Sequence, residues 1–156
     1  MEADEYDKRV EVRISDKGRR FTADIPRFEK LATTICARFG LKTAAVDIAI
    51  VNHAEIEKMN RRFLSRKGVT DVISFDLSDA GEDKVRVFDI AVNGELAAAQ
   101  AAERSIEPAA ELALYITHGL LHNLGFNDAD PGEAARMHKV EDEILQDLGY
   151  GVVYNS

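Results

Sequence analysis

The sequence of 156 residues lacks cysteine pairs, a long hydrophobic run and an excess of basic residues. Its single cysteine, Cys36, excludes an internal disulfide and favours a reducing compartment. The longest stretch without Asp, Glu, Lys or Arg, residues 112–127, contains two histidines and is too short to span a bilayer. Residues 1–7 are acidic and lack the apolar run of a signal peptide. We therefore expect a cytoplasmic protein.

The balance of charges restricts the kinds of partner that the surface can bind. Twenty Lys and Arg residues against 28 Asp and Glu residues give a net charge of −8, which excludes a uniformly basic nucleic-acid-binding surface. A site for an anion must therefore be a local patch. The length predicts one domain over residues 1–156, and the hydrophobic content of 46% is typical of a globular protein.

The hydrophobic pattern mixes strand and helix periodicities and predicts an α+β or layered α/β domain. Alternating or continuous apolar residues predict four strands: 10–14, 46–50, 72–75 and 85–92. Helical spacing with Pro, Asn and Gly at the ends predicts five helices: about 26–39, 52–63, 94–104, 108–124 and 131–148. An acidic turn is predicted over 79–84. The C-terminal half is thus predicted to be mostly helical.

Two histidines on a predicted helix are the main candidates for chemistry. His118 and His122 are four residues apart, so both imidazoles project from one face of the helix and can bind one metal ion. Asp128 follows a helix-ending glycine and is our candidate for the third ligand; His138 and Asp130 are the alternatives. Three protein ligands leave a coordination position open for water.

The same spacing has a second interpretation, because pairs of histidines at this distance also occur on helices without binding metal. Position 119, between the two histidines, is glycine, whereas zinc proteases of the H-E-x-x-H type have glutamate there. The general base of that mechanism is therefore absent, which argues against proteolysis.

A basic cluster lies at the end of the second predicted helix and just beyond it, in an otherwise acidic sequence. It consists of Arg61, Arg62, Arg66 and Lys67. It indicates either a phosphate-binding patch for RNA or a solvated helix end at which cations complement the helix dipole. On the last predicted helix, Glu133, His138 and Glu141 are either partners of the metal ligands or part of an exposed face.

These residues together resemble the YbeY family of metal-dependent endoribonucleases. The run HGLLHNLGFND from His118 to Asp128, with Glu133, Met137 and Glu141 after it, is similar to the family's histidine motif. Two further blocks resemble family signatures in the same order and cover nearly the whole chain together with the first: residues 59–75, which include TDVISF, and Phe88-Asp89-Ile90.

The resemblance implies a fold, a cofactor and an activity. The fold is α+β and zincin-like, with a small mixed sheet of about four strands packed with helices and a central metal-binding helix. The cofactor is one zinc ion, or another divalent metal, held by His118, His122 and Asp128. The activity is single-strand-specific endoribonuclease action in ribosomal RNA maturation and ribosome quality control, with ribosomal RNA and the small ribosomal subunit as partners.

Three positions depart from the family pattern. Asp128 stands where the family has a third histidine, Leu64 where it has an arginine implicated in activity, and Val69 where it has a proline. Arg62 and Arg66 are the candidates to replace that arginine, and the sequence identifies no general base. The alternative function is a ribosome- or RNA-binding protein with a structural zinc ion and weak or lost catalysis.

Overall fold

The computed structural model describes residues 9–65, 68–78, 85–151 and 153. The predicted acidic turn over 79–84 lies outside these ranges. The strands are β1 (Arg9–Asp16), β2 (Thr43–Val51), β3 (Val72–Asp76) and β4 (Arg86–Asn93). The helices are α1 (Ile25–Arg38), α2 (His53–Leu64), α3 (Gly94–Arg104), α4 (Pro108–Asn123) and α5 (Pro131–Asp147), with a short 3₁₀ helix at Thr22–Asp24.

The four strands form one mixed sheet in the order β1-β2-β4-β3. β1, β2 and β4 are parallel, and β3 runs antiparallel to β4 at the edge. Helix α1 forms the crossover that the parallel pair β1 and β2 requires. The register pairs Val46 with Val12 on one side and with Phe88 on the other. The predicted α+β fold with a four-stranded mixed sheet is confirmed, and only the 3₁₀ helix lacked a sequence prediction.

The main hydrophobic core lies between one face of the sheet and helices α1 and α4. Twelve of the sixteen residues of α4 are buried, so this helix is apolar on nearly all sides and lies at the centre of the fold. It contacts β3, β4, α1, α3 and α5. The most buried side chains of this core include Phe28, Leu31, Phe88, Ile90, Leu112 and Ile116. The histidine-bearing helix is therefore held from several directions.

Helix α2 covers part of the other sheet face. Ile56 of this helix is buried, as are Ile73 and Ala91 of the two strands beside it, and none of the three belongs to the main core. The predicted capping of α2 is present, because Asn52 accepts from the Glu55 N–H while Glu55 accepts from the Asn52 N–H. No helix within the described ranges is both long and apolar enough to cross a membrane.

Gly119 allows α4 to approach the sheet closely. A Cβ atom at this position would lie 2.9 Å from Val72 Cγ2 and 3.4 Å from Ile90 Cγ2. Both neighbours are β-branched and stiff, so neither can move away without shifting its strand. The glycine that lies between the two histidines in sequence therefore sets the distance between their helix and the sheet.

We expect Gly119→Ala to destabilise the protein. The steric cost of about 1–3 kcal/mol exceeds the gain of up to about 1 kcal/mol in helix propensity. Chemical denaturation should show a net loss of roughly 1–2 kcal/mol. Gly18→Ala is the matched control, because its nearest heavy atom is 3.9 Å away. Equal stability of the two variants would show that the sheet yields to the extra methyl group.

Candidate metal centre

The last two turns of α4 bring the imidazoles of His118 and His122 together. Their Nε2 atoms are 3.0 Å apart, and the ring planes meet at 80° with centroids 4.5 Å apart. Two imidazoles facing one point in this way are typical of ligands that share an ion, since nitrogen ligands on tetrahedral zinc lie about 3.3 Å apart. The i,i+4 spacing thus places the two side chains as the sequence predicts.

The chain returns to the histidines just after α4 ends. Gly125 has a φ of +99°, a backbone conformation that strongly favours glycine, and Phe126 N–H donates to the Leu121 carbonyl at 3.0 Å. Asp128 Oδ2 then lies 4.0 Å from His118 Nε2. One ligand atom from each of His118, His122 and Asp128 lies within 4.8 Å of the others.

The outer nitrogen of each imidazole has an acceptor that fixes the ring. His118 Nδ1 lies 2.7 Å from Glu141 Oε2, and His122 Nδ1 lies 3.1 Å from the Phe126 carbonyl oxygen. Because both partners are acceptors, each Nδ1 carries the proton and donates it. The Nε2 lone pairs are then directed towards Asp128 and available to a metal ion.

Glu141 holds two histidines with one carboxylate. Its side chain is fully buried, and Oε1 lies 2.8 Å from Nδ1 of His138 while Oε2 accepts from His118. Burial of a carboxylate is costly unless both oxygens are bonded, and here both are. The sequence left open whether Glu141 and His138 are partners of the ligands or exposed; the structure shows that Glu141 is a partner and that His138 reaches the centre through it.

Several negatively charged carboxylates lie near His118. Burial opposes the charged imidazolium, but the hydrogen bond and charge of Glu141, with the charges of Asp71 and Asp128, outweigh burial and raise the pKa of His118 above its usual value. The same carboxylates favour a bound metal cation. Two imidazole nitrogens and one carboxylate oxygen are a donor set that suits zinc.

The two other candidates for the third ligand have different roles in the described part of the chain. Asp130 caps α5, where its Oδ1 accepts from the Glu133 N–H at 2.8 Å. His138 directs Nδ1 to Glu141. Glu133, which the sequence offered as a partner of the ligands or as part of an exposed face, is exposed in the first turn of α5. Among these candidates, Asp128 is therefore favoured as the third ligand, because its carboxylate lies close to both histidines.

The basic cluster is only partly described. Arg61 and Arg62 lie exposed on the last turn of α2, on the sheet side opposite α4, whereas Arg66 and Lys67 fall outside the described residues. Arg61 forms an ion pair with Glu57 at 2.8 Å, and the guanidinium of Arg62 lies 5.4 Å from the centre of the Phe63 ring. Leu64 ends α2 with a side chain that is 40% exposed.

Two contributors to the centre carried little or no sequence signal. The Phe126 carbonyl is a backbone group, so its role cannot be inferred from the residue type. Asp71, just before β3, affects the pKa of His118 although the two residues are far apart in the sequence. Glu141 was already a sequence candidate, and its spacing of three residues from His138 puts both on one face of a helix.

Comparison with known proteins agrees with this geometry. A family model described as Endoribonuclease YbeY matches residues 13–149, which is most of the chain and includes all three candidate ligands. The chain belongs to the YbeY family. The predicted resemblance is therefore confirmed.

Two curated YbeY relatives match over nearly their full length. Endoribonuclease YbeY of Chloroflexus aurantiacus is 37% identical over 151 residues, covering 90% of this chain and 95% of the relative. The protein of the same name from Bacillus licheniformis is 33% identical, covering 87% and 93%. The solution structure of TM1509 from Thermotoga maritima matches with a TM-score of 0.59 at 20% identity, covering 89% of this chain and 91% of that one. That likeness supports the fold.

We expect Glu141→Gln to weaken metal binding by roughly 10- to 100-fold, because a neutral amide has one oxygen and cannot accept from both histidines. Titration against a chromophoric chelator measures the affinity. Glu143→Gln is the control, since Glu143 lies on the same helix but pairs with Arg38 at 2.6 Å. An unchanged affinity in Glu141→Gln, or equal losses in both variants, contradicts the role assigned to Glu141.

Asp128→Ala should lower the metal content of the purified protein, because it leaves the ion with two protein ligands. Elemental analysis after dialysis is expected to give near-stoichiometric metal for the wild type and much less for the variant. Asp130→Ala is the control; it removes a helix cap worth about 1 kcal/mol and should retain the metal. Loss of metal in Asp130→Ala alone would transfer the ligand role to Asp130.

Proposed function

We propose that this YbeY chain is a metal-dependent, single-strand-specific endoribonuclease that acts in ribosomal RNA maturation and ribosome quality control. The observation that carries the proposal is the convergence of His118 Nε2, His122 Nε2 and an Asp128 carboxylate oxygen within 4.8 Å. The family membership and the name Endoribonuclease YbeY borne by the relatives support the reaction type.

In this proposal His118, His122 and Asp128 hold one divalent ion, preferably zinc. A bound ion of this kind polarises a phosphoryl oxygen or a water molecule. The chain's own contribution is to keep the ligands oriented: Glu141 and the Phe126 carbonyl hold the two Nδ1 protons, so that both Nε2 atoms keep their direction.

The basic cluster supplies the proposed contacts to the RNA backbone. Arg61, Arg62, Arg66 and Lys67 would neutralise phosphates, and Arg62 and Arg66 stay the candidates for the activity that the family assigns to an arginine at the position of Leu64. The proposed location is the cytoplasm, the proposed partners are ribosomal RNA and the small ribosomal subunit, and a single domain over residues 1–156 stays a prediction.

The alternative function, an RNA- or ribosome-binding protein with a structural metal and lost catalysis, is not favoured. The curated relatives carry the name of an endoribonuclease, and the three candidate ligands lie together. Asp128 side-chain exposure of 51% also leaves the centre open to solvent on one side, as a substrate requires.

We expect the metal-loaded wild type to cleave a labelled single-stranded RNA and to leave the same sequence uncut in a perfect duplex. Chelation should stop cleavage, and added zinc should restore it. His118→Ala should reduce the cleavage rate at least 100-fold while circular dichroism shows an intact fold. His53→Ala, at the start of α2, is the control and should cleave like the wild type. No cleavage by the wild type at any metal loading would reject the nuclease.

A further inference from the structure

A groove with exposed aromatic and aliphatic side chains lies on the sheet face opposite the metal helix. Its volume is about 350 Å³, and it lies between α2 and strands β3 and β4. Phe63 is 54% exposed and Leu77 is 58% exposed, which is unusual for large apolar side chains grouped at one place. The lining residues are Met59, Phe63, Phe75, Leu77, Asp89 and Ala91.

Two aromatic rings and a guanidinium group lie together at this groove. Phe63 and Phe75 meet edge to face, with centroids 5.9 Å apart and planes at 75°. The Arg62 guanidinium lies over the Phe63 ring at 5.4 Å. Unpaired nucleobases stack on both aromatic rings and arginine planes. The groove therefore combines the two side-chain types that bind single-stranded nucleic acid without reading its sequence.

The charges around the groove differ between its two sides. Arg62 lies next to Phe63 on the helix side, where the neighbouring Arg61 is ion-paired with Glu57. Asp89 lines the sheet side and has Asp47 as its neighbour in the register. A phosphate is attracted to the helix side and repelled from the sheet side. A single-stranded nucleic acid fits these charges when its phosphate backbone follows α2 and its bases point into the groove.

The groove is joined to the metal centre through the edge strand. The backbone carbonyl of Phe75 accepts from Asn123 Nδ2 at 3.5 Å, and Asn123 directly follows His122 at the end of α4. β3 thus separates the groove on one face from the end of the metal helix on the other. A single-stranded nucleic acid that passes over β3 can contact both the groove and the metal centre.

We propose that this groove binds unpaired nucleobases of the RNA by stacking on Phe63, with the adjoining phosphates on the basic end of α2. The choice of RNA as occupant rests on the proposed endoribonuclease function. The groove explains how a protein with a net charge of −8 can hold a polyanion, since part of the affinity comes from base stacking rather than from phosphate neutralisation.

The sequence contains no tryptophan, so Phe63→Trp introduces a single fluorescent reporter into the groove. We expect a single-stranded RNA dodecamer to quench its emission by half or more when the protein is kept in chelator to prevent cleavage. An abasic ribose-phosphate chain of equal length should not quench, because it has the charge but not the bases. Equal quenching by both chains would overturn the proposal.

Affinities of the chelated protein provide the second test. Phe63→Ala should raise the Kd for single-stranded RNA roughly 5- to 150-fold, with an unchanged dependence on salt, because it removes stacking and no charge. Val85→Ala, which trims a side chain that is 44% exposed outside the groove lining, should bind like the wild type. Arg62→Gln should instead reduce the slope of log K against log salt by about one.

Two results would overturn the inference. One is an unchanged Kd in Phe63→Ala, which would leave the groove to a protein partner. The other is self-association of the wild type that disappears in Phe63→Ala, which would make the groove a contact between two copies of the chain. If the wild type cleaves RNA and Phe63→Ala keeps the wild-type affinity, only the proposal about the groove is rejected. Strong quenching without any cleavage rejects only the nuclease.

Discussion

The buried carboxylate of Glu141 holds together the candidate metal centre. It accepts from His118 and His138 at 2.7 and 2.8 Å and has no exposed surface. Because a buried anion is stable only with its donors in place, this carboxylate and the two imidazoles fix one another. The direction of the His118 lone pair is therefore set by a residue on another helix and not by α4 alone.

The position of α4 against the sheet follows from a second constraint, the close contact at Gly119. A side chain there would meet Val72 and Ile90, so this position faces the sheet and not the ligands. The acid that zinc proteases carry after their first histidine has no room in this fold. The packing thus gives a structural reason for the absence of the glutamate base, from which the sequence already argues against proteolysis.

Much of the fold and of the site could be predicted from local patterns. Helical spacing identified His118 and His122, and the glycine turn made Asp128 the nearest candidate to return. The remaining features depend on contacts between residues far apart in sequence. Glu141 shows the spacing of a helix face but not which face is buried, and the groove at Phe63 exists only because β3 and β4 pair beneath α2. Such tertiary contacts leave no periodic signal in one sequence.

The centre draws on three consecutive pieces of chain: the end of α4, the loop that carries Asp128, and α5 through Glu141. An ion held there would link α5, through Glu141 and His118, to the central helix α4. Part of the free energy of binding such an ion would be free energy of docking that helix. Metal binding at this centre would thereby be coupled to the packing of α5.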